Sequence, residues 1–104
     1  MIEGRRSTRV LARIPVSLVT GQDPPADGLT AVVNRHGALV LSPTLYKEGT
    51  ILRIRNELNS EATHCRVTWV APTDLSGACK LGLEFLDAAP TFWGNVYGQR
   101  LTLK

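Results

Sequence analysis

Six short segments of the chain are rich in apolar and β-branched residues, and the clearest of them alternate between apolar and polar positions. This period of two is typical of a β-strand that buries one face. In residues 50–55, Leu52 and Ile54 share one face, and Arg53 and Arg55 share the other. The predicted strands are residues 14–19, 29–33, 38–41, 50–55, 63–70 and 78–86.

The segments between the predicted strands are rich in turn-forming residues. Residues 20–28 contain two prolines and two glycines, and residues 34–37 read Asn-Arg-His-Gly. Residues 71–77 hold Pro, Asp and Gly and are predicted to close an antiparallel hairpin. Six short strands joined by polar turns predict an all-β fold, either a small barrel or a sandwich.

The sequence that follows Pro90 has the period of a helix instead. We predict a short helix over residues 90–98, with Thr91 as its N-cap and Gly94 as its weakest position. We expect it to cover one open end of the barrel. Its apolar residues at helical spacing are Phe92, Trp93, Val96 and Tyr97.

Composition and charge limit the classes of partner. The chain has 104 residues, 43% hydrophobic and 20% charged, which fits one globular domain with a single core. Its net charge of +3 is concentrated in residues 1–13, which hold four arginines against one glutamate, so the remainder is close to neutral. A protein that binds nucleic acid usually spreads its basic charge over a face. The pattern therefore favours a small anionic ligand and no specific nucleic-acid partner.

Three arginines, Arg5, Arg6 and Arg9, lie within five positions shortly before the first predicted strand, and Arg13 adds a fourth positive charge beside it. A guanidinium group can hold a phosphate with two hydrogen bonds, stack on a purine, or bind the O6 and N7 atoms of guanine. A cluster of them on a mobile arm suits a phosphorylated guanine ligand; the alternative is a solvated basic tail. Residues 2–5, Ile-Glu-Gly-Arg, also match a protease recognition sequence used to remove tags, which leaves open whether residues 1–4 are native.

Three functional classes find no support in the sequence. No apolar run approaches the roughly 20 residues that span a bilayer, and no signal-peptide core is present, so we expect a cytoplasmic protein without membrane insertion. The chain has two histidines and no HExxH, CxxC, GxSxG or phosphate-binding glycine motif. His64 and Cys65 are adjacent on a predicted strand and point to opposite faces, so they cannot share a metal ion. We expect neither an enzyme nor a protein with a metal or cofactor.

The two cysteines are expected to be free thiols. With the hairpin centred between residues 74 and 75, Cys65 lies opposite Glu84, five residues from Cys79. This separation is roughly 16 Å along a strand, beyond the span of a disulfide. Both cysteines share the parity of predicted core residues, which indicates burial.

With these elements in order, the chain resembles the PilZ domain family over nearly its whole length. Residues 5–9, Arg-Arg-Ser-Thr-Arg, match the RxxxR motif that opens the family, and a barrel strand follows it. Residues 65–70 and 81–85 look like the family's late strands. The resemblance implies a six-stranded antiparallel β-barrel over residues 13–86, a flexible N-terminal arm over 1–12, a C-terminal helix over 90–98, and binding of the bacterial second messenger cyclic di-GMP.

The family's second motif, (D/N)xSxxG, is altered in this chain. Asn34 matches its first position, whereas His36 stands in place of Ser and Leu39 in place of Gly; Gly37 matches only if the loop is two residues shorter. The serine hydroxyl is therefore lost. Carried over residue by residue, the candidate ligand-binding residues are Arg5, Arg6, Arg9, Asn34, Arg35, His36 and Gly37.

We therefore expect a cyclic di-GMP-binding domain that acts as a ligand-dependent switch, with an arm that becomes ordered on binding and presents a surface to an unidentified protein effector. The alternative is a PilZ-like protein-interaction module that no longer binds the ligand; a nucleic-acid-binding barrel is the third interpretation. Trp69 and Trp93 are expected in the core, with the alternative that one of them borders the ligand surface. The sequence does not predict the oligomeric state.

Overall fold

The computed structural model describes residues 9–72 and 77–94, which form one antiparallel sheet. The strands are β1 (Val10–Leu11), β2 (Pro15–Val19), β3 (Ala26–Asn34), β4 (Gly37–Ser42), β5 (Ile51–Asn56), β6 (Ala62–Pro72) and β7 (Cys79–Phe85). Their order in the sheet is β1-β3-β2-β5-β6-β7-β4, and a further pairing of β3 with β4 closes it. The predicted six-stranded barrel is thus confirmed as β2 to β7, with β1 as an extra short strand.

Strict alternation builds the barrel core. In β5, Leu52 and Ile54 are fully buried, while Arg53 and Arg55 are exposed. In β2, Val16 and Leu18 point inward in the same way. Burying one such aliphatic side chain contributes about 1.5–3 kcal/mol, so the inward row of each strand is the main source of stability.

The sheet begins inside the range that was expected to be the arm. Val10 is buried and pairs with Val33 of β3, so β1 packs onto the barrel before residue 13. Thr30 of β3, also buried, holds the connection between β1 and β2: its hydroxyl donates to Ala12 O and accepts from Ile14 N. Residues 9–12 therefore belong to the folded domain, and residues 1–8 lie outside the described part of the chain.

The segment after β7 differs from the predicted helix. Residues 90–94 form turns, in which Phe92 N donates to Ala89 O and Gly94 N to Thr91 O. Gly94 has a φ of 63°, in the left-handed region, which interrupts a right-handed helix. Phe92 and Trp93 are nevertheless buried in the core. Residues 95–98 lie outside the described residues.

The cysteines are free and buried, as predicted. Cys65 lies opposite Phe85, not Glu84, because β6 and β7 pair in a different register from the predicted one. Cys79 pairs with Pro72 at the far end of β6. Burial raises the pKa of the Cys65 thiol from 9.0 to about 12, so this group stays protonated.

Candidate ligand-binding site

The loop between β3 and β4 is a tight turn held by its own first residue. Asn34 pairs with Gly37, so Arg35 and His36 form the tip, and both are exposed. Asn34 Oδ1 accepts a hydrogen bond from His36 N at 2.7 Å, the geometry of an Asx turn. The hairpin therefore closes at Gly37, and Leu39, which takes the place of the family's Gly, lies within β4.

Gly37 is required by the close approach of β4 to β7. A Cβ atom at this position would lie 1.9 Å from Leu83 O and 3.1 Å from Glu84 Cα, which are backbone atoms that cannot move aside. His36 O accepts a hydrogen bond from Phe85 N at 2.7 Å and fixes the same approach. The loop is thus pressed onto β7.

A β-bulge in β6 turns Trp69 outward. Val67 pairs with Leu83 and Trp69 pairs with Gly82, which leaves Thr68 as an extra residue. The side chain of Trp69 is consequently 42% exposed, and the expectation that it lies in the core is wrong. Its indole lies against Gly82, where a Cβ atom would come within 2.4 Å of Trp69 Nε1.

The loop and the indole border one cavity on the outer surface of the sheet. Val32, Leu39, Gly82 and Trp69 pair in register across β3, β4, β7 and β6, and this row lines the cavity. Its volume is about 410 Å³, within the usual range for small-molecule sites. The residues there that can recognise a ligand are Arg9, Asn34, His36, Trp69 and Glu84.

The structure brings together four of the seven predicted site residues: Arg9, Asn34, His36 and Gly37 all line this cavity. Arg35 is exposed on the same loop and does not line it. Arg5 and Arg6 lie outside the described residues.

Two further residues of the cavity, Trp69 and Glu84, were not predicted as site residues. The signal for Trp69 is Gly82 on the partner strand, because a strand glycine often marks a close approach. Glu84 is exposed, and within residues 9–72 and 77–94 the single ion pair is Arg55 with Glu57, at 4.0 Å. The carboxylate of Glu84 is therefore free of ion pairs with these residues.

Displaced pKa values occur away from the cavity. Burial raises the pKa values of Cys65 and Tyr46, and neither residue lines the cavity. The described residues contain no group of three or more His, Cys, Asp or Glu side chains able to hold a metal ion. They also contain no helix of the length and hydropathy needed to cross a membrane. The cavity offers hydrogen-bonding, charged and stacking groups, which are the means of binding a ligand.

Comparison with solved structures identifies the fold. The PilZ domain of YcgR from Escherichia coli, solved with cyclic di-GMP, superposes with a TM-score of 0.73 over 97% of this chain and 92% of that one, at 14% identity. This chain has the PilZ fold. The structure of the Bacillus subtilis inhibitor of motility MotI/DgrA also superposes on this chain, with a TM-score of 0.75 and 20% identity over 98% of this chain.

The PilZ fold predicted from the sequence is thus confirmed by structure. This chain spans 53% of the MotI/DgrA chain, so it corresponds to about half of that protein. Neither the scan of family models nor the search of curated proteins gave a match. The likeness therefore lies in the arrangement of the strands.

Proposed function

We propose that this PilZ-fold domain binds cyclic di-GMP in the cavity between the loop of residues 34–37 and Trp69, and that binding acts as a switch. The observation that carries the proposal is that Arg9, the last arginine of the RxxxR motif, lines the same cavity as Asn34 and His36 of the second motif. These residues are far apart in sequence. Their meeting at one cavity is what a two-motif ligand site requires.

The groups at the cavity match the chemistry of the ligand. Cyclic di-GMP carries two phosphates and two guanines. The guanidinium of Arg9 binds a phosphate or the O6 and N7 atoms of guanine, and the half-exposed indole of Trp69 stacks on a purine. The carboxylate of Glu84 accepts hydrogen bonds from the N1–H and N2–H groups of guanine. Arg5 and Arg6, which lie with Arg9 in the segment of residues 5–9, supply further positive charge.

The solved neighbours support a signalling role. YcgR's PilZ domain was solved with cyclic di-GMP, and MotI/DgrA is an inhibitor of motility. By analogy, this domain works in the bacterial cytoplasm as a binding module without catalytic activity, and it passes the signal to a protein effector. Ligand binding at Arg9, two residues before the exposed side chain of Leu11, changes the surface that the domain presents to the effector.

Isothermal titration of the purified domain with cyclic di-GMP at near-physiological salt tests the proposal. We expect micromolar or tighter binding, and weaker binding of cyclic di-AMP because adenine has an acceptor where guanine N1 carries a proton. Flat heats at high ligand concentration would contradict ligand binding. They would favour the alternative function, a protein-interaction module, for which the loss of the motif's serine at His36 is the supporting observation.

Substitution of Arg9 separates binding from folding. Arg9→Ala is expected to weaken binding about ten- to a hundredfold, because a hydrogen bond to a charged group contributes about 1.5–3 kcal/mol. Arg9 is exposed, so the melting temperature should stay unchanged. Arg13→Ala is the matched control, since Arg13 is also exposed but does not line the cavity. Equal affinities of the two variants would exclude Arg9 from the site.

A further inference from the structure

The segment that follows β7 is hydrogen-bonded to the loop of the proposed site. Trp93 is 3% exposed, and its indole Nε1 donates to the backbone oxygen of Asn34 at 3.0 Å. Phe85, at the end of β7, donates its backbone N–H to His36 O at 2.7 Å. Phe85 and Trp93 therefore donate hydrogen bonds to the backbone oxygens of two loop residues, His36 and Asn34.

These two residues belong to one aromatic cluster. The ring of Phe85 lies 5.2 Å from that of Phe92 and 5.9 Å from that of Trp93, and the Phe92 and Trp93 rings lie 4.6 Å apart in an edge-on arrangement. Phe92 and Trp93 are almost completely buried. The three rings therefore pack directly against one another where β7 ends and the next segment begins.

The same segment is also anchored at the turn between β5 and β6. The side-chain amide of Asn56, which is 2% exposed, donates to Phe92 O at 2.8 Å, and that of Asn59 donates to the same oxygen at 3.3 Å. Thr91 Oγ1 donates to Glu61 Oε1 at 3.0 Å. Residues 91–93 therefore connect the site loop to the opposite side of the barrel.

We propose that Trp93 is a positioning residue for the ligand site, and that its hydrogen bond to Asn34 couples ligand occupancy to the segment of residues 89–94. The inference rests on the proposed function. Asn34 lines the cavity, its side chain holds His36 N, and its backbone oxygen accepts from Trp93. A ligand that moves Asn34 must change the Trp93 hydrogen bond, and by linkage a change at Trp93 must change ligand affinity.

Trp93→Phe tests the positioning role. Phenylalanine retains a buried aromatic ring and removes only the N–H donor and part of the ring area. We expect cyclic di-GMP to bind about three- to tenfold more weakly, the effect of one lost hydrogen bond. Leu52→Ala is the control: Leu52 is fully buried in β5 and does not line the cavity, so this variant should lose thermal stability and keep its affinity. Unchanged affinity of Trp93→Phe would contradict the proposal.

Fluorescence tests the coupling directly. The chain has two tryptophans, so Trp69→Phe leaves Trp93 as the single reporter. We expect the emission of Trp93 to change on saturation with cyclic di-GMP, although its side chain does not line the cavity. Binding detected by calorimetry in this variant, without any change in Trp93 emission, would overturn the coupling and leave the proposed function intact.

Amide hydrogen exchange in the ligand-free protein tests the positioning of the loop separately from ligand binding. In Trp93→Phe, we expect faster exchange of the His36 amide, whose N–H donates to Asn34 Oδ1, and an unchanged rate at Leu18 in β2. If the wild-type protein gives flat heats with cyclic di-GMP, the proposed function fails, but faster exchange at His36 still supports positioning of the loop. An unchanged His36 rate would contradict it.

Discussion

The hairpin of β5 and β6 and the neighbouring pair of β4 and β7 are built on different principles. In β5–β6, up to Val67, side chains alternate strictly, and Leu52, Ile54 and Cys65 fill the core. Where β7 meets β4 and the bulged part of β6, two glycines replace outward side chains, and backbone or indole atoms occupy the space. The cavity lies beside the second arrangement. The regular hairpin thus contributes mainly to stability. The region in which glycines replace outward side chains forms the concave site.

Gly37→Ala is expected to have the largest effect, and it tests whether the second region depends on its glycines. The new Cβ would meet Leu83 O at 1.9 Å, so β4 must separate from β7. We expect a loss of about 3 kcal/mol or more in the free energy of unfolding, at the upper end of overpacking effects. Urea denaturation measures it.

Gly49→Ala is the matched control for that variant. Gly49 has a φ of 90° and no atom within 4 Å of its added Cβ, so only backbone strain applies. This strain costs about 1–2 kcal/mol. Equal losses in the two variants would show that the close approach of β4 and β7 does not constrain position 37.

Gly82→Ala is expected to have a smaller effect. Its Cβ would meet the indole of Trp69, a side chain that can rotate into solvent, so we expect a loss of about 1–2 kcal/mol. A double-mutant cycle tests the cause: in a Trp69→Ala background the same change should cost less than about 0.5 kcal/mol. A cost that is the same in both backgrounds would place the constraint elsewhere than at the indole.

Alternation predicted the regular part of the fold because burial of one strand face leaves a period of two in the sequence. Leu52 and Ile54 lie where that period places them. The period could not reveal the extra residue at Thr68, because a bulge is defined by the pairing of two strands. Trp69 was therefore assigned to the wrong face. The two-residue strand β1 is too short to show any period.

The candidate site could be predicted only in part for a related reason. Arg9, Asn34, His36 and Gly37 were found through the resemblance of two short motifs. Glu84 belongs to no motif and lines the cavity only because β7 pairs with β4 in a register that places Glu84 opposite Gly37. Residues brought together by strand register alone leave no local pattern in the sequence.

A smaller effect is expected at Cys65, in the regular hairpin of β5 and β6, and concerns the pH dependence of stability. Burial favours the neutral Cys65 thiol and raises its pKa to about 12 in the folded state, so between pH 9.0 and this value the unfolded chain loses a proton that the folded chain keeps. The free energy of unfolding should therefore fall as pH rises, at up to about 1.4 kcal/mol per pH unit.

Urea denaturation of wild type and Cys65→Ala from about pH 8 to about pH 10 measures this contribution. Because other groups titrate in both proteins, the difference between the two slopes isolates the thiol. Parallel slopes would show that Cys65 is not the group whose pKa is raised.

Chemical-shift mapping of the amide and indole N–H groups during titration with cyclic di-GMP tests the ligand site most directly. We expect the largest shifts at residues 34–37, at Gly82 and Glu84, and at the indole of Trp69, while Arg53 and Arg66 on the outer face of β5 and β6 stay unchanged. Shifts concentrated at Arg53 and Arg66, or no shifts at saturating ligand, would contradict a cyclic di-GMP site in the cavity beside Gly37 and Gly82.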